Sequence, residues 1–446
     1  MNLVNFFKQK IDLIIQSASP TLWVAYSGGV DSTVLLDLLL NLKKIGFNPV
    51  VKAIHVNHGL QPAAIEFERH CLDYLAQQKL KFNFNFDFDF EFKVVAAVDA
   101  VGPIKKGESL EAYAREARYE IFKSQLKPGD FILTAQHEAD QIETFFVQLM
   151  RGSGVEGLSA MPELKPLGEG FLWRPLLEVP KLAILNYAQE KNLSWIEDPS
   201  NKDCQRDRNF WRHQIIPQLL NKYPGFFKTM TRTIRHCQDA SGCLDQWGED
   251  LFKKNGFVLN QPLSWEKLNC LNKLNQKLIL RIWLKYWNLN LSETQLDEVL
   301  FQKNLIFKSK GQCYALRSFQ KKLYFLMPEE INYLNIKHLE PYEISWDGRT
   351  DLTLPHWPYL IPKEKWPMFF LTSNSNSNFN FNLNFMPNDL VIKNRQGGER
   401  LWVKEAAHGF HKDLKLLFQS LGIPPWWRAR VPLVYAQGKL VGIIWE

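Results

Sequence analysis

The sequence predicts an α/β fold: a doubly wound parallel sheet at the N-terminus, then a helical domain, then a small α+β domain. Three observations predict it. Short apolar, β-branched runs alternate with helical periods through about the first 200 residues. Strand-like runs fade after Pro199 and amphipathic helices replace them. Residues 387–446 then mix turns, one helix and a strand pair. The boundaries predicted are 1–204 for the sheet domain, 205–330 for the helical domain, 331–386 for a linker and 387–446 for the last domain. A chain of 446 residues suits this count at about 150 residues per domain.

Residues 1–18 place Leu3, Phe6, Phe7, Ile11, Ile14 and Ile15 on one helical face. Residues 21–26 read as a strand ending in a Ser-Gly-Gly turn, and a helix runs from Asp31. Residues 49–56 form a second strand and 62–81 another helix. Phe82–Phe92 alternates aromatic and polar residues with period two. Residues 108–126 are helical, 130–135 a strand and 136–150 a helix. Beyond 205 the helices are rich in good helix formers, with two amphipathic segments inside 264–301 and a β-like tail at 312–327. Residues 373–385 are Asn-rich and of low complexity, which predicts a loop. Lys412–Leu421 is the last helix, before a strand pair turning at Gln437–Gly438.

With 46% hydrophobic and 23% charged residues, the composition excludes a wholly disordered or fibrous chain. Six scattered cysteines form no C-x-x-C pair, so neither a disulfide framework nor a zinc ribbon is expected. No apolar run reaches the roughly 18 residues of a membrane span. Lys8, Lys10 and Asp12 interrupt any signal-peptide core. A soluble cytoplasmic protein is expected.

The strongest motif is Ser27-Gly28-Gly29-Val30-Asp31-Ser32 between a strand and a helix N-terminus. Two glycines permit a turn free of Cβ clashes, so that successive N–H groups can converge. The helix dipole favours an anion at that point. Ser27 and Ser32 can donate to phosphate oxygens. Asp31 would repel phosphate unless a cation lies between them, which points to Asp31 as an Mg²⁺ ligand. An ordinary capped βα turn is the rival reading. No Walker A motif occurs, and the G-x-G-x-x-G match at Gly152–Gly157 follows a helix where a dinucleotide site needs a strand.

This string resembles the PP-loop of N-type ATP pyrophosphatases. Further blocks narrow the resemblance: His55–Leu60 (HVNHGL), Ser109–Tyr119 (SLEAYAREARY), Thr134–Thr144 (TAQHEADQIET) with Arg151–Gly154, and Trp195–Asn201 (WIEDPSN) followed by Arg208-Asn209 and Arg212. Near the end stand Arg395–Arg400, Lys412–Lys415 and Ile423–Pro432. In this order they resemble the tRNA(Ile)-lysidine synthetase family at both ends of the chain, and only loosely over 215–390.

The resemblance implies an ATP-dependent ligase. ATP adenylates C2–O of the wobble cytidine of the isoleucine tRNA with a CAU anticodon, releasing pyrophosphate. The ε-amine of free L-lysine then displaces AMP and forms lysidine. It implies residues 1–204 as the adenylation domain and 205–330 and 387–446 as tRNA-binding domains, and it is compatible with a homodimer. ATP and Mg²⁺ are the cofactors. Ser27, Gly28, Gly29, Val30, Asp31, Ser32 and His55 are the expected ATP-binding residues. Asp140, Glu143 and His137 are expected to hold lysine. Asp31, Asp140, Glu143 and one of Arg115 and Arg118 carry the chemistry, the arginine by offsetting charge on the adenylated intermediate.

The residues themselves agree in part. His137, Asp140, Gln141 and Thr144 form one polar stripe on helix 136–150, with Glu143 three residues beyond Asp140. Ile142, Phe145, Phe146 and Leu149 form the apolar side, expected to pack on the sheet. A solvated helix face is the rival reading of the stripe. Many family members have two adjacent aspartates where this chain has Ala139-Asp140, which puts a role of the first carboxylate in doubt. His55 and His58 are read as base-contacting or structural, because i and i+3 on a strand end point to different faces.

Residues 200–236 hold eight Lys/Arg against two Asp, and 391–446 hold nine against four acidic residues. Aromatics such as Trp211, Tyr223, Phe226, Phe227, Trp426 and Trp427 interleave with them. That suits backbone contact and stacking of unpaired bases, though a charge run can also be a solvated face. Arg206, Arg208, Arg212, Arg395, Arg400, Lys412, Lys415, Arg428 and Arg430 are the expected tRNA contacts. The rivals are a PP-loop tRNA thiolase, a glutamine-fed synthetase and a catalytically silent tRNA-binding paralogue. The first lacks its cysteine pair here. The second lacks the N-terminal cysteine, since Asn2 follows Met1. The third is disfavoured by the intact loop and carboxylates.

Overall fold

The computed structural model describes residues 2–15, 20–44, 50–57, 64–81, 92–96, 102, 110–197, 207–309, 311–336, 340–346, 350–355, 357, 359, 390–396, 399–405, 408–436 and 438–445. His58, Arg206, the period-two run up to Glu91 and the Asn-rich stretch 373–385 lie outside these residues. The chain divides into two compact units, Met1–Leu244 and Asp245–Glu446.

The first unit runs α1 (Leu3–Ile14), β1 (Thr21–Ala25), α2 (Val30–Lys44), β2 (Val50–Asn57), α3 (Ala64–Lys81), β3 (Phe92–Ala96), α4 (Leu110–Gln125), β4 (Phe131–Leu133), α5 (Glu138–Met150), α6 (Val155–Leu158), β5 (Leu164–Leu167), β6 (Gly170–Trp173) and α7 (Lys181–Glu190). Then come α8 (Asp207–Phe210), a π-helical turn Trp211–Ile215, α9 (Ile216–Lys222) and α10 (Phe226–Lys254), whose end belongs to the second unit.

Six strands form one sheet in the order β3-β2-β1-β4-β6-β5, all neighbours parallel except the β5–β6 hairpin. Helices cover both faces. On one, Phe7 and Ile11 of α1, the leucines of α2 and Ile184 and Tyr187 of α7 bury against β1 and β6, and Phe7 stacks on Trp173 at 6.3 Å between centroids. On the other, Ile121 and Phe122 of α4 pack on Trp23, Ile54 and Ile132. The chain leaves β1 toward β2 and β3, then returns to β4 on the opposite side. The crevice at the carboxyl ends of β1 and β4 is therefore the switch point, where ligands of open α/β sheets bind.

Two expectations change. The apolar side of α5 does not pack on the sheet. Ile142 and Phe145 join Ile216, Phe226 and Ile234 in a separate core, Phe146 stacks on Trp211 at 4.5 Å, and Leu149 is exposed. The helices through Leu244 thus belong with the sheet domain, because they supply the cover that α5 needs. The aromatics at 211 and 226 serve that packing.

The second unit contains β7 (Leu263–Ser264), α11 (Trp265–Asn269), α12 (Lys273–Lys285), α13 (Glu293–Gln302), β8 (Asn304–Ser309), β9 (Gln312–Phe319), β10 (Lys322–Leu326), α14 (Pro328–Asn335), β11 (Glu343–Trp346), β12 (Leu390–Lys393), β13 (Arg400–Glu405), β14 (His408–Asp413), α15 (Leu414–Ser420), β15 (Leu433–Ala436) and β16 (Lys439–Ile443). Its strands extend beyond the β-like tail expected at 312–327, to Leu263–Ser264 and Asn304–Ser309. A four-stranded antiparallel sheet, β7-β10-β9-β8, shares a core with α11, α12 and α13. Part of the predicted linker is structural too, since β11 is the edge of the sheet β11-β12-β15-β16. Among the described residues no helix is long and apolar enough to cross a membrane.

Asp130 ties the first sheet together. Its carboxylate accepts the N–H of Thr21 at 3.0 Å and of Lys127 at 3.2 Å, and its carbonyl accepts Phe171 N–H at 2.9 Å. A Cβ on Gly170 would lie 2.5 Å from that carbonyl oxygen. Gly170→Ala is therefore expected to lower stability by about 1–3 kcal/mol in denaturant titration. Gly242 stands exposed in α10 with nothing within 4 Å of a Cβ, so Gly242→Ala should raise stability by up to about 1 kcal/mol.

Candidate active site

The glycine loop lies at the switch point. Gly28 takes φ +80°, a conformation open to glycine and costly for a side chain, and a Cβ there would press Cys71 Sγ at 3.1 Å. Its carbonyl accepts Ile196 N–H at 3.0 Å. The loop is braced internally. Ser32 Oγ accepts Ser27 N–H at 3.2 Å, donates to Gly29 O at 3.0 Å and lies 3.1 Å from Ser27 Oγ. Ser32 is buried, while Ser27 is exposed at the mouth. His55 is buried beneath the loop and its Nδ1 donates to Tyr26 O at 3.0 Å. Burial holds its imidazole below the usual histidine range, so it is neutral at pH 7.

Three helix N-termini meet here. α2 begins at Val30 and α5 at Glu138, whose N–H bonds Val179 O at 3.1 Å. Lys181 opens α7 two residues later. Asp31, in the first turn of α2, is paired with Lys181 Nζ at 2.5 Å, and His137 Nε2 lies 3.8 Å away. Such N-termini favour anions. Sequence reasoning missed Lys181 altogether. No spacing rule links positions 31 and 181, and a lysine at a helix start carries no signal by itself.

On α5 the acidic pair is present but not solvated. Glu143 is buried. Arg212 grips it bidentately, Nε to Oε1 at 2.6 Å and Nη2 to Oε2 at 3.0 Å, and reaches Asp140 Oδ1 at 3.2 Å. Asp140 Oδ2 accepts His137 N–H at 3.0 Å and lies 3.5 Å from His137 Nδ1. Burial drives the Glu143 carboxyl above the ordinary range, Arg212 opposes that, and Asp140 adds to it. The other stripe residues are structural. Gln141 exchanges two 2.8 Å bonds with the Met161 backbone, and Thr144 donates to Asp140 O.

The predicted RNA contacts separate into groups. Arg208 and Arg212 belong to this site: Arg208 Nη2 reaches Thr144 Oγ1 at 3.2 Å, and Arg212 sits in the π-helical turn. Such turns are frequent at functional sites. Arg115 and Arg118 are exposed on α4, Arg115 lying 5.1 Å from the Tyr119 ring centroid. In the second unit Lys415 is exposed, Arg395 stacks on Phe418 and Arg428 on Phe319. Arg400 and Lys412 stand on the hairpin β13–β14. Arg430 is committed elsewhere, donating to the carbonyls of Tyr333, Leu334 and Ile336 at 2.8–2.9 Å. Trp427 is core, and Trp426 packs edge-on against Tyr324.

Ser27-Gly28-Gly29-Val30-Asp31-Ser32, leading from β1 into the N-terminus of α2 with no Walker lysine, is the loop of the PP-loop ATP pyrophosphatase class. Comparison agrees: residues 3–219 match the PP-loop domain family, and residues 390–444 match the TilS substrate C-terminal domain. The tRNA(Ile)-lysidine synthase of Methylococcus capsulatus is 34% identical, covering 94% of this chain and 90% of the relative. That of Coxiella burnetii is 33% identical over 94% and 88%. The chain belongs to the tRNA(Ile)-lysidine synthase family.

Glu143 offers a test of this electrostatic account. Its carboxyl, followed by isotope-edited infrared titration, is expected to ionise above the ordinary value of about 4.3. Arg212→Met should move the midpoint further up, because an opposing cation is lost, and Asp140→Asn should move it down.

Proposed function

We propose that this site adenylates the wobble cytidine of the CAU-anticodon isoleucine tRNA and then joins free L-lysine to C2. The chain is an ATP-dependent ligase of the lysidine-forming family, and the finer assignments rest on its own residues. The observation that carries them is a chain of contacts from Asp31 through His137 to Asp140 and Glu143. An acidic pair so close to the glycine loop supports reading the two as parts of one site.

The loop N–H groups, Ser27 Oγ and the three helix N-termini bind the triphosphate and orient its α-phosphorus toward the base. His55 stiffens the turn from below. The residues fit Mg²⁺. No group of three His, Cys, Asp or Glu among the described residues could hold an ion, but Asp31 offers one carboxylate, and Mg²⁺ commonly takes its other ligands from phosphate and water. When bound there it would offset charge on the phosphates. The cytidine O2 bonds to the α-phosphorus and pyrophosphate departs. One of Arg115 and Arg118 offsets charge on the adenylated base.

Lysine then replaces a cation already in place. Its ammonium takes the position of the Arg212 guanidinium at Asp140 and Glu143, which frees Arg212 to join Arg208 at the RNA backbone. Attack needs the neutral amine, and the acidic pair with His137 accepts the proton. The nitrogen bonds to C2 and AMP leaves with the C2–O electron pair. A free tRNA substrate places the reaction in the cytoplasm. Arg395, Lys415 and Arg428, with Arg400 and Lys412, form the second contact area for the tRNA. A thiolase reading is disfavoured, since no C-x-x-C pair is available to carry sulfur.

Purified protein with ATP, labelled lysine and total tRNA should attach label to one tRNA species and release AMP and pyrophosphate. ADP release, or labelling independent of tRNA, would overturn the assignment. Asp31→Ala should abolish turnover and leave tRNA binding intact.

A further inference from the structure

Lys181 has no role in the account so far, yet it makes one of the closest contacts at the loop. Its position is set by the way α7 docks on α2. Six residues beyond Asp31 on α2 is Asp37, and six beyond Lys181 on α7 is Tyr187. Tyr187 Oη donates to Asp37 Oδ2 at 2.8 Å, and Asn41 Nδ2 donates to the same oxygen at 2.8 Å. Asp37 is 1% exposed, so this contact is a buried register pin. Equal spacing on both helices means that they run side by side in the same direction. Both N-termini therefore open at the same edge of the sheet. The Asp37–Tyr187 contact lies about 9 Å along the axes, at 1.5 Å per residue.

The Lys181 ammonium thus stands at the mouth of the triphosphate cradle, with about a third of its side chain exposed. Among the described residues it reaches inward to Asp31 alone. Its anchoring is rigid and its head is accessible, which suits a group that changes partner when an anion arrives. A purely structural clamp is already provided, deeper and drier, by Asp37 and Tyr187.

We propose that Lys181 is a further catalytic residue of the adenylation step, binding the pyrophosphate leaving group. This rests on reading the site as an adenylating one. In the free enzyme the ammonium neutralises Asp31. When the triphosphate enters, it donates instead to oxygens of the β- and γ-phosphates. The cytidine O2–Pα bond forms and the bond from Pα to the bridging oxygen breaks. The electron pair stays on that oxygen, so negative charge grows on pyrophosphate beside Lys181. The lysine remains protonated throughout and no proton is transferred. Its contact with the leaving oxygens strengthens as their charge develops, and that difference lowers the barrier.

The test compares wild type, Lys181→Ala and Lys181→Arg. Calorimetry with inorganic pyrophosphate, without added metal, should show at least about a tenfold weaker affinity for Lys181→Ala and a near-wild-type affinity for Lys181→Arg. Lysine- and tRNA-dependent AMP release should fall about 10²-fold in kcat for Lys181→Ala, the cost of removing one such donor, with KM for lysine unchanged. The melting temperature of both variants should stay close to wild type, because Asp37–Tyr187 still pins the helices. Pyrophosphate affinity of Lys181→Ala equal to wild type overturns the proposal. So does a loss as deep in the charge-preserving Lys181→Arg. Wild-type protein that releases no AMP and pyrophosphate with tRNA overturns the adenylation reading instead, and the binding experiment reports on Lys181 regardless.

Discussion

The site depends on one backbone constraint: the chain must turn from β1 into α2 tightly enough to leave N–H groups pointing out of the sheet edge. Gly28 makes this possible at φ +80°, packed so closely on Cys71 that a side chain would meet both strain and collision. Everything beneath the turn is arranged to hold it. His55, neutral because it is buried, bonds the carbonyl just before the loop, Ile196 bonds the carbonyl inside it, and Ser32 closes it from within. A cradle braced in this way does not have to reorganise when charge develops on a phosphate, and such preorganisation is where catalysis of this kind gains most.

Around that turn the protein brings together several charges, of which Glu143 is fully buried and the others partly exposed, and pairs them. Asp31 is matched by Lys181, and Glu143 with Asp140 by Arg212. Each pair joins a carboxylate on a helix following β1 or β4 to a cation from a later segment. Removing Arg212 would strand the buried Glu143 carboxylate, and on the proposed reading these two contacts are the ones that substrates replace. Lysine and pyrophosphate are of the right charge to do so, a cation against the carboxylates and an anion against Lys181. On that reading, binding energy is partly spent on releasing the protein's own side chains for the RNA and for the leaving group.

The helix α5 joins the two halves of this chemistry. Its N-terminus stands beside the loop, its first turns carry the acidic pair, and its apolar side is buried by α9 and α10. The packing of Phe146 on Trp211 fixes the adjacent Arg212 at the carboxylates. Basic and aromatic residues that look in sequence like one RNA-binding patch therefore serve a core and an ion pair at once.

The parallel sheet, the glycine loop and the acidic residues of α5 were legible in the sequence because each is local: an alternation of strand and helix, six consecutive residues, a three-residue spacing. Strands as short as β5 and β6 were not, since four residues carry too little pattern. In 263–326 the β-like tail at 312–327 marked the strands β9 and β10, while β7, two residues long and separated from the others by three helices, carried no pattern of its own. The extent of the first compact unit was also hidden, because the apolar side of α5 can be buried by a sheet or by helices and the sequence does not choose. Side-chain partners over long separations were beyond reach. Asp31 with Lys181, and Glu143 with Arg212, are 150 and 69 residues apart. By itself the sequence determined which residues make the turn and that Asp31 stands within it, because these follow from local backbone geometry. Only the tertiary structure decided which cation neutralises each carboxylate and how deeply Glu143 is buried, because both depend on how separate helices dock.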